Sequence, residues 1–228
     1  MPAPIRPLLL GHRGARAVPS IPENTLASFD RALADGCDGF EFDVRLTADC
    51  EAVICHNPRS GGLEIAAVTA AQVGHLPHLG NVLSRYQERA FLDIELKVTG
   101  LEKITLEWLR KQPPRCGFVV SSFLPEVLLA IRAEDADVPL GLICETRGEL
   151  LRWKDLPVDY VIPHHKLATA ALLRELKDAG KKSLVWTVND RAEMARFRNL
   201  GVDGIISDKT SLLYRANRDP GGPRAQNR

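Results

Sequence analysis

The chain has no CxxC pair, no zinc-type spacing of cysteine and histidine, and no apolar stretch long enough to cross a bilayer. Its five cysteines, Cys37, Cys50, Cys55, Cys116 and Cys144, are odd in number and scattered. That argues against a disulfide framework and for reduced thiols. Near the N-terminus the apolar run is only Leu8 to Leu10, too short for a signal-peptide core. The expected address is the cytoplasm. Charge of one sign is not in excess either: 30 Lys and Arg face 29 Asp and Glu, a formal net charge of +1. This excludes a general electrostatic binder of nucleic acid or membrane. No GxGxxG follows the first strand-like segment, which disfavours an open dinucleotide-binding sheet. Nothing specifies an oligomeric state.

What is present is a regular alternation. Strand-like segments occur at Leu8–His12, Gly39–Leu46, Phe91–Lys97, Gly117–Phe123, Leu140–Glu145, Tyr160–His164, Ser183–Asn189 and Gly204–Asp208. Each is short, apolar or alternating, and bounded by Gly, Pro, Asn or Asp. Amphipathic helical patterns lie between them, most clearly at Thr25–Ala34, Glu102–Lys111, Pro125–Ala133, Gly148–Asp155, Thr169–Ala179 and Arg191–Leu200. Gly36, Gly180 and Gly201 follow three of these as helix stops.

Repeated β-α units imply a parallel sheet, and closing it leaves no exposed edges. The fold class expected is α/β, a single-domain (β/α)8 TIM barrel over residues 1–216. The 228 residues sit near the low end for that architecture. Ala52–His56 reads as a strand extension or hairpin arm. Residues 57–80 read as a short insertion over the barrel mouth, and the polar, Gly- and Pro-rich 217–228 as a disordered tail.

In such a barrel, chemistry sits at the C-terminal ends of the strands. The first ends in His12-Arg13, the second carries Glu41-Phe42-Asp43, and the third ends in Glu95-Leu96-Lys97. Residues i and i+2 share a face. Glu41 and Asp43 therefore point inward together, as do Glu95 and Lys97. Phe40, Phe42, Val44, Ile94 and Leu96 face the helices. Three inward carboxylates repel one another and resist desolvation, a conflict that a divalent cation removes. An all-oxygen donor set suits Mg²⁺ or Ca²⁺, with Mn²⁺ within range. Glu41 and Asp43 alone would more often pair with Arg or Lys; the inward Glu95 tips the balance towards a metal. His12 and His56 flank the cluster and suit proton transfer near neutral pH. Arg13 and Lys97 add fixed positive charge for an anion, or else pair with the same carboxylates. Together these groups fit an anionic phosphoester.

The ordered series HRGAR, PENT (Pro22–Thr25), EFDVRLTAD (Glu41–Asp49), VICH (Val53–His56), DIELK (Asp93–Lys97), WTVN (Trp186–Asn189) and GVDGIISD (Gly201–Asp208) resembles the glycerophosphodiester phosphodiesterase family over nearly the whole chain. The resemblance implies a (β/α)8 barrel that hydrolyses a small-molecule glycerophosphodiester to an alcohol and sn-glycerol 3-phosphate. By position, Glu41, Asp43 and Glu95 match the metal ligands, and His12 and His56 the acid/base pair. Arg13 and Lys97 match the phosphate contacts, Glu23 a supporting glutamate, and Trp186 a wall of the glycerol pocket. Two departures stand out: His56-Asn57 replaces the family's His-Asp, and NPRSGG replaces its Arg-Thr-x-Gly segment. The attacking group is water or the glycerol 2-hydroxyl. Two rivals follow. One is a lysophospholipase D-like or sphingomyelinase D-like phosphodiesterase, with Leu63, Ile65 and Val68 as an apolar rim. The other is a catalytically weakened phosphodiester-binding protein. His164 and His165 end the sixth strand near the expected mouth, where a substrate head-group contact is one reading and solvent-exposed loop positions the ordinary one; His75 and His78 carry no signal.

Overall fold

The computed structural model describes residues 6–217. Eight parallel strands close into a barrel: β1 Leu8–Gly11, β2 Gly39–Leu46, β3 Phe91–Leu96, β4 Phe118–Ser122, β5 Leu140–Cys144, β6 Tyr160–Pro163, β7 Lys182–Val185 and β8 Gly204–Ser207. Closure is made by β1, which pairs with β8 from Leu8↔Gly204 to Gly11↔Ser207 and with β2 at Leu10↔Gly39. All eight expected strands are present, and their ends fall within a few residues of the segments read from sequence.

Among the described residues, eight α-helices surround them: α1 Leu26–Ala34, α2 Leu79–Tyr86, α3 Glu102–Lys111, α4 Pro125–Glu134, α5 Arg147–Leu151, α6 Ala170–Asp178, α7 Arg191–Leu200 and α8 Thr210–Asn217. Their starts follow capping chemistry. Thr25, Thr146, Thr169 and Asp190 each cap the helix that follows by accepting a backbone N–H. Gly201 ends α7 in the left-handed conformation, φ 74°.

Two helices escape the sequence patterns, α2 and α8. In α2, Gly80, Asn81 and Ser84 dilute the helical signal. Its buried positions Leu79, Val82, Leu83 and Tyr86 nevertheless keep the i, i+3, i+4, i+7 period. Gly80 is set by tertiary packing: a Cβ there would lie 2.6 Å from the Trp108 ring of α3. Asn217, assigned from sequence to the tail, closes α8. The remainder of that expected tail lies outside the described residues.

The core has two layers. Between barrel and helices, Phe40, Phe42, Val44, Ile94 and Leu96 pack with Phe29, Leu83 and Tyr86, as the alternation requires. Phe29 stacks on Phe40 at 4.2 Å, and Tyr86 meets Phe40 edge-on at 4.9 Å. Each such pair contributes about 0.5–1.5 kcal/mol beyond burial. Inside the barrel, Leu10, Phe91, Val119, Ile143, Tyr160, Ile162, Leu184 and Ile206 form an apolar plug. Its members Ile143, Ile162 and Ile206 also line the cavity at the C-terminal mouth, where barrel chemistry sits.

The segment 57–80 is a hairpin, Arg59–Ser60 with Leu63–Glu64, followed by two 3-10 turns. It packs beside the end of β2, where Val53, Ile65 and Ala70 form a small cluster. No residue of 57–80 lines the central cavity described below.

Candidate active site

The register of β2 on β3 sets the geometry. Glu41 lies opposite Asp93, and Asp43 opposite Glu95. Four inward carboxylates thus occupy two adjacent strands, which are about 4.8 Å apart in any sheet. Ligand oxygens of Glu41, Asp43 and Glu95 lie within 4.8 Å of one another, and all three residues are buried. Like charges so placed are unfavourable unless neutralised.

The protonation energetics show that strain. Burial, then Asp43 and Glu95, holds the Glu41 carboxyl well above its usual range. Burial, then Asp43, pushes Glu95 up to about 8. Asp43 behaves differently. Burial opposes its ionisation, but Lys97, Arg13 and a hydrogen bond from Asn24 outweigh burial and lower its pKa. Glu41 Oε1 and Asp43 Oδ1 are buried acceptors without a hydrogen bond. Unsatisfied hard oxygens converging in one place suit a divalent cation, so the residues present fit the donor set expected for one.

Around this cluster the two motif loops use unusual backbone. Arg13 has φ 51° and Gly14 φ 81°; a Cβ on Gly14 would lie 2.4 Å from Ser28 Oγ. This turn aims the Arg13 N–H at Glu41 Oε2, 2.9 Å away. Asn24 is also left-handed, φ 57°, a conformation that Asn tolerates. Its amide donates to Asp43 Oδ2 at 2.8 Å. Arg13 and Lys97 both pair with carboxylates. Arg13 Nη1 bonds Glu23 Oε1 at 2.8 Å, and its Nε lies 3.3 Å from Asp43 Oδ2 without hydrogen-bond geometry. Lys97 Nζ donates to Glu95 at 2.6 Å and lies 3.3 Å from Asp43. Glu23 also accepts from Arg16, so it ties the HRGAR loop to the PENT loop.

The two imidazoles are held from different sides. His12 Nδ1 bonds Asp208 Oδ1 at 2.7 Å, leaving Nε2 3.8 Å from Glu41. Asp208 is fixed in turn by Asn189 at 2.6 Å. Burial disfavours its charge, but His12, Asn189 and Arg16 outweigh that and keep it well below the usual carboxylate range. His56 Nδ1 bonds Asn57 Oδ1 at 3.0 Å. Burial lowers the His56 pKa despite the nearby Asp43.

His12, Arg13, Glu41, His56, Glu95 and Lys97 line one wall of a cavity of about 430 Å³. Asp43 lies buried behind them. Phe123, Ile143, Ile162 and Trp186 line the other wall. Trp186 is anchored by Nε1 donating to the Ile162 carbonyl at 2.9 Å, and meets Phe123 edge-on at 5.7 Å. The structure thus brings all the sequence-derived site residues into one neighbourhood.

Several residues received no role from sequence. Asp208 and Asn189 orient His12, Asn24 braces Asp43, and Asp93 sits beneath the cluster. Asp93 accepts from Ser121 Oγ at 2.5 Å, and burial pushes it up to about 7. All but Ser121 fall inside the quoted motifs, which was their only signal. His164 and His165 are not free loop side chains. His164 packs edge-on against Trp186 at 5.5 Å, and His165 bonds Glu193 at 3.0 Å. His75 bonds Ser60, and His78 sits at the start of α2.

Comparison with known proteins supports the same reading. A glycerophosphodiester phosphodiesterase from Caldanaerobacter subterraneus is 25% identical over 95% of this chain and 100% of its own. A phosphodiesterase from Oleispira antarctica, solved with the product sn-glycerol-3-phosphate, is 26% identical with TM-score 0.81 over 92% and 96% of the two chains. The Thermotoga maritima glycerophosphodiester phosphodiesterase, 24% identical, shares the fold with TM-score 0.78 over 92% and 98%. The model of the glycerophosphoryl diester phosphodiesterase family matches residues 12–62 and 98–212. With motif loops, barrel and acidic mouth in agreement, the chain belongs to the glycerophosphoryl diester phosphodiesterase family.

Proposed function

We propose that this chain hydrolyses glycerophosphodiesters to an alcohol and sn-glycerol 3-phosphate, with Glu41, Asp43 and Glu95 holding a divalent cation and His12 and His56 moving the protons. The observation that carries the proposal is the convergence of three buried carboxylates beside two imidazoles and two cations in one cavity. Mg²⁺, Ca²⁺ or Mn²⁺ fits the all-oxygen donor set; when bound, it supplies electrostatic stabilisation of charge developing on phosphoryl oxygens.

The remaining work falls to the chain's own groups. Arg13 and Lys97 grip phosphate oxygens once these compete with their carboxylate partners. His56 is kept neutral by burial, and its Nδ1–H is directed to Asn57 Oδ1. Its Nε2 lone pair serves as the base towards the attacking oxygen. His12, fixed through Nδ1 by Asp208, delivers a proton from Nε2 to the leaving alcohol. Phe123 and Trp186 exclude water and take the glycerol carbons.

Asn57 is the feature behind the binding-protein alternative. Its amide oxygen fills the orienting role of the usual carboxylate, which favours the enzyme. The apolar-rim alternative loses Ile65, which is buried in its own cluster. All five cysteines are free, and no helix among the described residues is long and apolar enough to cross a membrane. Both suit the cytoplasm. The decisive assay is turnover of glycerophosphocholine and lysophosphatidylcholine with each metal and after chelation. Metal-dependent release of glycerol 3-phosphate is expected; tight ligand binding without product would overturn the proposal.

A further inference from the structure

His56 is not carried by a barrel strand. It ends an arm, Ala52–Ile54, that runs antiparallel to the end of β2 from Leu46↔Ala52 to Val44↔Ile54. The last bond of this pairing is Cys55 N–H to Asp43 O, 2.9 Å. Beyond it the chain leaves β2 for the hairpin. At that point one side chain takes over. Arg45 lies two residues past Asp43 on β2. It donates to the His56 carbonyl from Nε at 2.9 Å and from Nη2 at 2.7 Å.

The arrangement is costly for mere tethering. The guanidinium is partly buried, and among the described residues no carboxylate lies within ion-pair distance of it. A charge withdrawn from water is here spent on a neutral carbonyl, which a neutral donor could satisfy at lower cost. What the fork adds is direction: two parallel N–H groups fix both distance and angle. With Asn57 holding the ring and Arg45 holding the backbone, the imidazole has little freedom left.

We infer that Arg45 is a positioning residue for His56, its two-pronged grip on the carbonyl setting the arm so that the imidazole faces the phosphate site. The inference rests on the acid–base role proposed above for His56. Arg45 also lines a separate cavity of about 360 Å³, between the end of β2, the hairpin residues Pro58, Glu64 and Ile65, and Val98. A small cation is expected to take the place of the missing guanidinium from that cavity.

The test measures kcat and KM for glycerophosphocholine at saturating metal in Arg45→Ala, Arg45→Lys, His56→Ala and the double variant Arg45→Ala/His56→Ala. Arg45→Ala is expected to lower kcat about 100-fold, the scale of a small misplacement of a catalytic group, with KM within about twofold. Arg45→Lys, a single donor, loses roughly tenfold. Millimolar guanidinium restores part of the Arg45→Ala rate but none in the double variant. The double variant is no slower than His56→Ala, because the two residues act as one unit. Wild-type kcat in Arg45→Ala overturns the inference. So does a loss that persists in full on the His56→Ala background, or one that falls on KM and metal affinity instead. If Arg45→Ala does not fold, Arg45→Gln and Arg45→Lys carry the same cycle. Wild-type turnover in His56→Ala overturns the acid–base reading itself, and the clamp with it; slow His56→Ala with additive Arg45 effects overturns the clamp alone.

Discussion

The cavity wall built by β1, β2 and β3 carries His12, Arg13, Glu41, Glu95 and Lys97, whereas the wall built by β4 to β7 carries Phe123, Ile143, Ile162 and Trp186. The first wall breaks the rules of a stable core. It holds neighbouring buried carboxylates, acceptors without donors, and left-handed backbone at Arg13 and Asn24. The second is mainly apolar apart from Glu145, with rings packed edge-on and the Trp186 N–H satisfied. Local strain concentrates where chemistry is done and is held in place by a scaffold that is otherwise well packed.

If that contrast is right, substitutions on the two walls should act in opposite senses. The largest effect is expected at Glu41. Glu41→Ala should abolish metal binding and cut turnover on the order of 10³-fold, the several kcal/mol a metal contributes. The metal-free Glu41→Gln protein should melt higher than the metal-free wild type at pH 8, because the cost of keeping an ionisable carboxyl buried beside Asp43 and Glu95 is gone. Unchanged activity, or a lower melting point in Glu41→Gln, would remove the contrast. Next comes Asp208→Asn, which leaves the shape but loses the charged orienter of His12. It should lower kcat roughly 10²- to 10³-fold with little change in KM. A pure KM effect would place Asp208 outside the proton-transfer machinery.

Acidity sharpens the comparison further. Burial pushes Glu95 to about 8 and Asp93 to about 7, above ordinary values of 4.5 and 3.8. Between those limits the metal-free fold binds more protons than the unfolded chain, so its stability falls as pH rises through the window. Metal binding requires the ionised ligands and gains affinity over the same window. Melting with and without Mg²⁺ from roughly pH 5 to 9 should show a metal-induced rise that grows with pH and levels off above about 8. A pH-independent rise would contradict this. The smallest effect is expected on the second wall. Trp186→Phe loses the hydrogen bond to Ile162, at about 1 kcal/mol of stability. KM should rise a few-fold while kcat is nearly kept, as steady-state kinetics would show.

Much of the first wall was legible because it is local. An i, i+2 pair on a strand must share a face, so Glu41 with Asp43 and Glu95 with Lys97 follow from spacing alone. His12 and Arg13 follow from ending a strand. The partners that make these groups work were not legible by the same route. Asp208 reaches His12 across 196 residues, a contact that exists only because β8 closes on β1. Asn24 reaches Asp43 from a loop whose left-handed turn leaves no periodic trace. Helix α2 was hidden because Gly80 answers to Trp108 of another helix, not to helix propensity.

By itself the sequence determined the alternation of strands and helices, the face each side chain takes, and the chemical character of the mouth. Those depend on backbone periods of 2 and 3.6, which operate within a few residues. The tertiary structure decided the β2–β3 register that sets Asp43 opposite Glu95, the closure that gives His12 its carboxylate, and the arm that brings His56 to the site. Each of these joins groups distant along the chain, and their separation in space is fixed only when the cylinder closes.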